Sequence, residues 1–389
     1  MSQAPRASFD AIVVGAGPSG LACAATMGRL GLAVAIVDKA DTVAAVWHRH
    51  YDRLHLHSDR GHSALPGLAM PREFPRYPSR DQAIDYFERY ATHFELRPMF
   101  GRTVQSVRRN AGSGGWRVET DREVLSAPVV VIATGWADHP HRPHWPDSER
   151  FLGRVMHSIH YRNAAALAGQ RVLVVGFGNS GGEIALDLAE AGVDVCLAVR
   201  GPVQIVPRDL LGLPILTWSI AESALPPRLA DIVNAPAIRL ALGPMRGLGL
   251  EIAAKGPLRM IAEDQRVPLL DAGTLAQIRK GAIRVRGGIE RFTRDGVVLA
   301  GSGAEAFDCV VLATGFRPDL RGLLPDDPDL FDAAGMPLAC GRATARPGLF
   351  FCGLIASPTG QLRQIGIEAE RIARLAAACA RGAPALSRA

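Results

Sequence analysis

The sequence predicts an α/β protein made of two similar units, the second inserted within the first. Two glycine-rich turns, Gly15–Gly20 and Gly176–Gly181, lie 161 positions apart in a chain of 389 residues. Each turn follows an apolar, strand-like run and opens a helix-like run, which is the order found in βαβ units. A second repeat agrees, because Val129–Trp136 and Cys309–Phe316 are both apolar strands running into Ala-Thr-Gly and an aromatic residue. We therefore predict two Rossmann-like dinucleotide-binding domains.

The elements of the first unit follow from its apolar pattern. We predict a strand, a helix and a second strand within about 30 residues, at Phe9–Val14, Ser19–Leu30 and Ala33–Val37. The second strand ends at Asp38.

The second unit repeats this order. Its strand, helix and strand are predicted at Arg171–Val175, Asn179–Ala191 and Asp194–Val199, with Arg200 following. Short antiparallel strands are expected downstream of each unit, at 103–109, 116–120 and 123–125 and again at 289–292, 296–299 and 306–308.

These elements suggest domain limits. We expect a discontinuous first domain, 1–165 and 302–389, and a second domain spanning 166–301. The stretch 207–268 is rich in leucine, proline and glycine and is the least regular part of the chain. It is either a helical lid over a substrate or ordinary packing.

Composition and charge exclude several function classes. The net charge of +6 comes mostly from dispersed arginines, with no basic run interleaved with aromatics, so we expect no nucleic-acid partner. The apolar stretch 210–221 is too short for the roughly 20 residues of a membrane span. The N-terminus shows no signal pattern, so we expect a cytoplasmic protein. The six cysteines include no Cys-x-x-Cys, which argues against a zinc site or a redox dithiol, and no metal is expected.

The first glycine turn has the chemistry of a pyrophosphate cradle. Gly15 allows the tight turn, Gly17 lets backbone amides approach the phosphates, and Gly20 lets helix and strand pack closely. Asp38 follows Gly15 by 23 residues, where a carboxylate can accept hydrogen bonds from an adenosine ribose and repels a 2′-phosphate. The first pocket should therefore hold FAD or NAD.

The second turn differs in the residue after its second strand. Arg200 follows Gly176 by 24 residues, in the place that corresponds to Asp38, and Arg208 comes shortly after. A guanidinium suits a 2′-phosphate, so we predict that this pocket prefers NADPH. The alternative is that Arg200 is a surface arginine and that NADH serves equally well.

A string between the units points to a known family. Phe151–Tyr161, with the pattern Phe-x-Gly-x-x-x-His-x-x-x-aromatic just before the second turn, resembles the identifying motif of class B flavin-dependent monooxygenases. Leu312–Phe316 resembles the second signature of that class. Within it, the chain is most similar to the plant YUCCA indole-3-pyruvate monooxygenases and their bacterial relatives. This resemblance covers most of the length and includes residues 47, 51–57, 74–79, 172–183, 255–258, 268–273 and 348–353.

The resemblance implies an FAD- and NADPH-dependent monooxygenase. In that class NADPH reduces FAD by hydride transfer, O₂ adds at flavin C4a to give a (hydro)peroxyflavin, and a small-molecule substrate is oxygenated. The implied reaction is the oxidative decarboxylation of an aryl 2-oxo acid such as indole-3-pyruvate. N- or S-oxygenation of amines or sulfides, an NADPH oxidase and a flavoprotein redox sensor remain open alternatives.

Two departures from the family bear on the substrate. Tyr161-Arg162 stands where Baeyer–Villiger members carry Trp-Pro, which disfavours a lactone-forming reaction. The segment 354–361 replaces an arginine-containing run of the plant enzymes, which leaves the substrate undetermined.

Two residues are candidates for the chemistry itself. Asn179, inside the second turn, can both donate and accept hydrogen bonds beside the flavin and nicotinamide, although asparagine is also a common helix N-cap. His57 could donate to the oxygenated flavin or tune its protonation, although a backbone-bonded histidine is equally compatible with the sequence. His157 is more consistent with a structural role in the linker between the domains.

The expected cofactor-binding residues fall into two sets. For FAD they are Gly15, Gly17, Pro18, Ser19, Gly20, Asp38, Lys39, Trp47, Leu54, Val104, Thr134, Gly135 and Gln361. For NADPH they are Gly176, Gly178, Asn179, Ser180, Gly181, Arg200, Arg208, Thr314 and Gly315. The two Thr-Gly pairs are expected to act as hinges beside the cofactors. A carboxylate substrate would need a cation, for which Arg53, Arg76 and Arg363 are candidates. No interface signal separates a monomer from a homodimer.

Overall fold

The computed structural model describes residues 9–110, 114–137 and 139–381, and it confirms the α/β class. The strands in chain order are β1 (Ala11–Val14), β2 (Val34–Val37), β3 (Val104–Arg109), β4 (Trp116–Thr120), β5 (Val124–Ala127), β6 (Val129–Ile132), β7 (Arg154–His157), β8 (Arg171–Val175), β9 (Asp194–Ala198), β10 (Ile205–Pro207), β11 (Asp209–Leu210), β12 (Leu213–Pro214), β13 (Leu269–Asp271), β14 (Ile283–Arg286), β15 (Ile289–Phe292), β16 (Gly296–Leu299), β17 (Gly303–Ala306), β18 (Cys309–Leu312) and β19 (Leu349–Phe351). The α-helices are α1 (Pro18–Arg29), α2 (Ala45–Arg49), α3 (Arg80–His93), α4 (Asn179–Glu190), α5 (Ile215–Ala221), α6 (Pro227–Leu242), α7 (Pro257–Asp264), α8 (Thr274–Arg279) and α9 (Gln361–Ala380).

The first sheet has the strand order β19-β6-β1-β2, and all its pairs are parallel. All four residues of β1 are buried, as expected for a parallel strand covered on both faces. Ala11 and Val13 pack toward α1, α3 and α9, whereas Ile12 and Val14 pack toward the antiparallel strands β3, β4 and β5. The sheet is therefore the middle of three layers.

The second sheet has the order β14-β9-β8-β18-β7 and is also parallel. Its layers repeat those of the first sheet. Val172 and Val174 pack on α4, whereas Leu173 and Val175 face the apolar side of β15 and β16. The predicted βαβ units and both antiparallel excursions are thus confirmed as elements.

Strand pairing assigns two strands to a different sheet from the one that the predicted domain limits imply. Cys309 in β18 pairs with both Val172 in β8 and Arg154 in β7. Both β7 and β18 therefore belong to the second sheet, although the limits at 165/166 and 301/302 assigned them to the first domain. Edge pairing over long sequence separations is not encoded in local apolar pattern, which explains the difference.

The stretch 207–268 contains α5, α6 and α7. The structure shows these helices but does not decide between a lid and ordinary packing, so the lid stays a prediction. Among the helices of the described residues, none has the length and apolar character needed to span a membrane.

Candidate cofactor and substrate cavity

The first glycine turn joins β1 to α1 with little room for side chains. Gly15 has φ +112°, and a Cβ placed on it would lie 2.5 Å from the carbonyl oxygen of Ala133. A Cβ on Gly20 would lie 1.8 Å from the carbonyl oxygen of Gly15. Gly17, in contrast, has no protein atom within 4 Å of that position. The turn is thus closed toward the protein and open above Gly17, as a pyrophosphate cradle requires.

The second turn has the same geometry. Gly176 has φ +107° with a Cβ position 2.6 Å from the carbonyl oxygen of Ala313, and that of Gly181 lies 2.1 Å from the carbonyl oxygen of Gly176. Gly178 is open, with no protein atom within 4 Å. Two turns that match glycine by glycine can hold the same kind of ligand.

Both turns present the free end of a helix. Gly17 caps α1 and Gly178 caps α4, and neither helix has a side-chain cap or an acidic residue in its first turn. The first N–H groups of a helix lack internal partners and carry the positive end of its dipole. Each turn therefore fits a phosphate without further basic residues.

The charged residues after the two second strands differ in their contacts. The carboxylate of Asp38 accepts hydrogen bonds from the backbone N–H groups of Ala16 (2.6 Å) and Ala40 (2.8 Å). Arg200 is exposed and forms no hydrogen bond or ion pair with a described residue. The guanidinium of Arg208 instead stacks on Tyr77, 4.2 Å from the ring centre, so its charge is already engaged.

A cavity of about 1300 Å³ begins at the first turn and extends to the helices of the 207–268 stretch. Of the residues expected to bind FAD, those lining it are Gly15, Gly17, Pro18, Ser19, Asp38, Lys39, Trp47, Leu54, Val104, Thr134, Gly135 and Gln361. Gly20 lies beneath the turn, as its close approach to Gly15 requires. Among the described residues of the NADPH set, Asn179 alone lines this cavity.

Trp47 and Gln361 show how the cavity wall is fixed. Trp47 packs on Phe87, with ring centres 5.3 Å apart, and keeps one face toward the cavity. Gln361 begins α9 and donates from Nε2 to the carbonyl oxygen of Gly353 at 3.3 Å. The local sequence pattern alone does not show these contacts of Trp47 and Gln361.

Asn179 connects α4 to the segment that leads into β13. Its Oδ1 accepts from the N–H of Leu270 at 2.8 Å, and its Nδ2 donates to the carbonyl oxygen of Pro268 at 3.2 Å. Gly178 occupies the N-cap, so the side chain of Asn179 does not cap its own helix. Asn179 is thus a cavity residue whose amide is held by the backbone opposite.

His57 contacts a buried carboxylate that sequence reasoning missed. His57 Nε2 lies 2.8 Å from Glu183 Oε1, and the hydroxyl of Tyr51 donates to Glu183 Oε2 at 2.6 Å. Burial by itself would raise the pKa of Glu183, but the charge of His57 and the hydrogen bonds from His57 and Tyr51 hold it below its ordinary value. Burial, and then the carboxylate, raise the pKa of Tyr51 well above its ordinary value. The signal was a glutamate four positions after Asn179, in the part of α4 whose residues Gly181–Leu186 are all buried.

His157 joins β7 to the second Thr-Gly pair. Its Nδ1 accepts from the N–H of Ile159 at 3.3 Å, so the proton is on Nε2, which donates to the carbonyl oxygen of Gly315 at 3.1 Å. Burial lowers the pKa of His157. The hydroxyl of Thr314 donates to the carbonyl oxygen of His141. These contacts agree with the structural role expected for His157.

The far end of the cavity is apolar. Its walls there include Ile215, Leu216, Trp218, Ile238, Leu258, Ile261 and Val267. The polar side chains among them are engaged, since Ser219 donates to the carbonyl oxygen of Pro358 and Asn234 to Glu222. This end suits an apolar group.

The arginines expected to bind a substrate carboxylate are engaged elsewhere. Arg53 is paired with Glu190, and Arg76 is paired with Asp209 at 3.0 Å. Arg363 donates to Thr359 at 3.2 Å. None of the three belongs to the described residues that line the cavity. The expectation that one of these arginines lies in the cavity to bind a substrate carboxylate is therefore corrected. Arg53 and Arg76 each form an ion pair with a nearby carboxylate of the protein instead.

Comparison with known proteins agrees with this geometry. The model of the pyridine nucleotide-disulphide oxidoreductase family matches residues 12–209. The chain is 40% identical over 331 residues to the indole-3-pyruvate monooxygenase YUCCA1 of Oryza sativa subsp. japonica, covering 84% of this chain and 81% of that protein. It is 37% identical to YUCCA6 of Arabidopsis thaliana, covering 84% and 80%. The structure of a flavin-containing monooxygenase from Stenotrophomonas maltophilia is similar with a TM-score of 0.71 and 25% identity, covering 95% of this chain and 98% of that one.

Proposed function

Because the chain belongs to the class B flavin-dependent monooxygenases, which use FAD and NADPH, we propose that it oxidatively decarboxylates an aryl 2-oxo acid such as indole-3-pyruvate. The observation that carries this proposal is the single cavity that joins the first glycine turn, Asn179 and an apolar end beneath α5, α6 and α7. The relatives named as indole-3-pyruvate monooxygenases support the substrate class.

The first sheet and its turn suit FAD. The free N-terminus of α1 would hold the pyrophosphate, and Asp38, already fixed by Ala16 and Ala40, would accept from a ribose hydroxyl. When bound, FAD accepts a hydride and activates oxygen, chemistry that the side chains themselves do not supply. The protein's task is to position the reactants and exclude water.

The second sheet and its turn suit NADPH. The N-terminus of α4 would hold the pyrophosphate, and Arg200, which is exposed and pairs with no described residue, would meet the 2′-phosphate. Asn179, held by Pro268 and Leu270, would keep the nicotinamide end of this site in register with the cavity. We accordingly assign FAD to the first domain and NADPH to the second.

The remaining residues would handle the substrate. An apolar aromatic group would lie against Ile215, Trp218 and Ile261, and its binding there would displace water from the reacting atoms. His57 lines the same cavity and can hold or deliver a proton. The balanced reaction is 2-oxo acid + O₂ + NADPH + H⁺ → shortened carboxylic acid + CO₂ + NADP⁺ + H₂O.

A second candidate is the oxygenation of a neutral sulfide or amine. It is favoured by one observation: among the described residues 206–270 that line the cavity, none is an arginine or a lysine. A neutral substrate would need no cation there.

Product analysis under ¹⁸O₂ separates these candidates. The holoenzyme with NADPH and indole-3-pyruvate should form indole-3-acetate that carries one ¹⁸O atom, with release of CO₂. A parallel reaction uses methyl phenyl sulfide, and reactions without NADPH are the control. Sulfoxide formation without labelled acid would reject the 2-oxo acid and favour the second candidate.

A further inference from the structure

Glu183 is a charged side chain in an expensive position. Only 5% of its surface is exposed, and it projects from α4 near the start of the helix. A buried carboxylate destabilises the fold unless hydrogen bonds satisfy its oxygens. Its two oxygens are each satisfied once, by Tyr51 and by His57. A buried charge kept in this way calls for a function beyond packing.

The partners come from a different part of the chain. Tyr51 and His57 lie in the segment between α2 and α3, 132 and 126 positions from Glu183. Ser180, in the second glycine turn, acts on the same hydroxyl, since it lowers the pKa of Tyr51 against the stronger effects of burial and Glu183. The carboxylate therefore ties the helix that begins at the second turn to the cavity wall formed by the first domain.

The geometry decides which nitrogen of His57 carries a proton. The pKa of Glu183 lies below its ordinary value, so the group is an ionised acceptor at neutral pH. His57 Nε2, 2.8 Å away, must donate to it. Nδ1 forms no hydrogen bond with a described residue, and the side chain of His57 remains 28% exposed along the cavity.

We infer that Glu183 is a positioning residue that holds the His57 ring with its Nε2 proton directed into the protein and leaves Nδ1 for a molecule in the cavity. This inference rests on the proposed function, in which the cavity holds flavin and substrate. Nδ1 then accepts a proton when the ring is neutral and donates one when it is charged, while Nε2 stays bound to Glu183.

Other charges face this pair. The charge of His55 helps to lower the pKa of Glu183, and the charge of Arg53 opposes the rise in the pKa of Tyr51. The charge of Glu183 in turn offsets part of the lowering of the pKa of His50. His55 is held through Nδ1 by the carbonyl oxygen of Arg53 at 2.7 Å. All of these groups are unchanged in the variants below, so a shift on substitution of Glu183 reports the carboxylate itself.

The same helix offers a matched control. Asp187, one turn after Glu183, accepts a hydrogen bond from the buried hydroxyl of Tyr161 at 2.5 Å. The ring centres of Tyr161 and Tyr51 lie 6.4 Å apart. Asp187→Asn therefore neutralises a carboxylate that accepts from a tyrosine, as Glu183→Gln does, without touching His57.

Two readouts on the FAD-loaded protein test the inference. ¹⁵N-histidine NMR, assigned with His57→Gln, gives the tautomer of His57. The pH profile of NADPH-dependent turnover is measured for the wild type and for His57→Gln, and the limb of the profile that is lost in His57→Gln is the second readout. In Glu183→Gln the pH profile should differ from that of the wild type, because the fixed negative charge beside Nε2 is gone and the amide can either accept or donate. Glu183→Met, which removes the acceptor, should release the Nε2-protonated tautomer into a mixture.

The outcomes are separable. Asp187→Asn should leave the tautomer and the pH profile as in the wild type. If Glu183→Gln and Glu183→Met bind FAD normally and keep both the wild-type tautomer and the wild-type limb, the inference is wrong. If the wild type binds FAD but forms no oxygenated product, the proposed function fails, while the NMR readout still decides the role of Glu183. If the Glu183 variants do not fold, Tyr51→Phe, which leaves one hydrogen bond on the carboxylate, must alter the pH limb for the inference to stand.

Discussion

The amide of Asn179 joins the start of α4 to β13, because its Oδ1 accepts from the N–H of Leu270 at 2.8 Å. Nδ2 donates to the carbonyl oxygen of Pro268. One side chain thus fixes the approach of β13 to the second glycine turn. Sequence pattern alone left open whether this residue caps a helix or faces the cofactors.

Asn179→Ala should weaken both stability and cofactor use. Loss of two hydrogen bonds to buried backbone groups should lower the free energy of unfolding by about 1–3 kcal/mol. The displaced Pro268–Leu270 segment should raise KM for NADPH, measured by steady-state kinetics. Asn163→Ala is the control, since that amide bonds Asp52 and the N–H of Ala165 but lies away from the cavity. Equal changes in KM for the two variants would contradict this role.

The two glycines of the first turn should separate ligand binding from folding. The added Cβ in Gly17→Ala meets none of the described atoms beyond its chain neighbours within 4 Å, so the FAD-free variant should unfold at the temperature of the FAD-free wild type but bind FAD poorly. Gly20→Ala places a Cβ 1.8 Å from the carbonyl oxygen of Gly15, so it should destabilise even the FAD-free protein by about 1–3 kcal/mol or more. Thermal unfolding and bound-flavin content check both. Normal FAD content in Gly17→Ala would argue against this turn as the FAD site.

Arg200→Ala should reduce the preference for NADPH. A charge-assisted contact to the 2′-phosphate contributes about 1.5–3 kcal/mol, so kcat/KM for NADPH should fall roughly 10- to 100-fold. The value for NADH should change little. Arg228→Ala, another exposed arginine, serves as the control. A wild-type enzyme that prefers NADH would disprove the assignment of Arg200.

His50 should make stability depend on pH in a defined window. Burial, with the charges of Arg49, Arg80 and Arg162, lowers the pKa of His50 from 6.5 to about 4. Between these values the unfolded chain binds a proton that the folded protein does not, so stability falls as the pH drops from 6.5 toward 4. The slope approaches about 1.4 kcal/mol per pH unit.

Urea unfolding across that window measures the effect of His50. His50→Gln should flatten the pH dependence, and His144→Gln, at an exposed position, should not. The account of His50 is refuted by equal slopes in the wild type and His50→Gln.

Local pattern predicted the parts of the fold that are locally determined. The glycine turns could be found because close packing at Gly20 and Gly181 admits no side chain, and the apolar runs around them match β1 and β8. Strand pairing between β18 and β7 could not be found, since it depends on an edge formed by distant segments. The site shows the same division.

Charge partners were the main source of error at the site. Arg53 and Arg76 were candidates for substrate binding because a sequence does not show that Glu190 and Asp209 lie beside them. Glu183 was overlooked for the converse reason, because its partners Tyr51 and His57 are more than a hundred positions away. Long-range ion pairs and buried carboxylates become visible only once the two sheets are assembled.

The most direct test of the central claim is the stoichiometry of the reaction in air with indole-3-pyruvate. NADPH consumed, indole-3-acetate formed and hydrogen peroxide released are measured in the same sample. The account predicts one acid for each NADPH with little peroxide, because bound substrate and cofactors would fill the cavity and keep water from the reacting atoms. Consumption of NADPH with an equal amount of peroxide and no acid would contradict it.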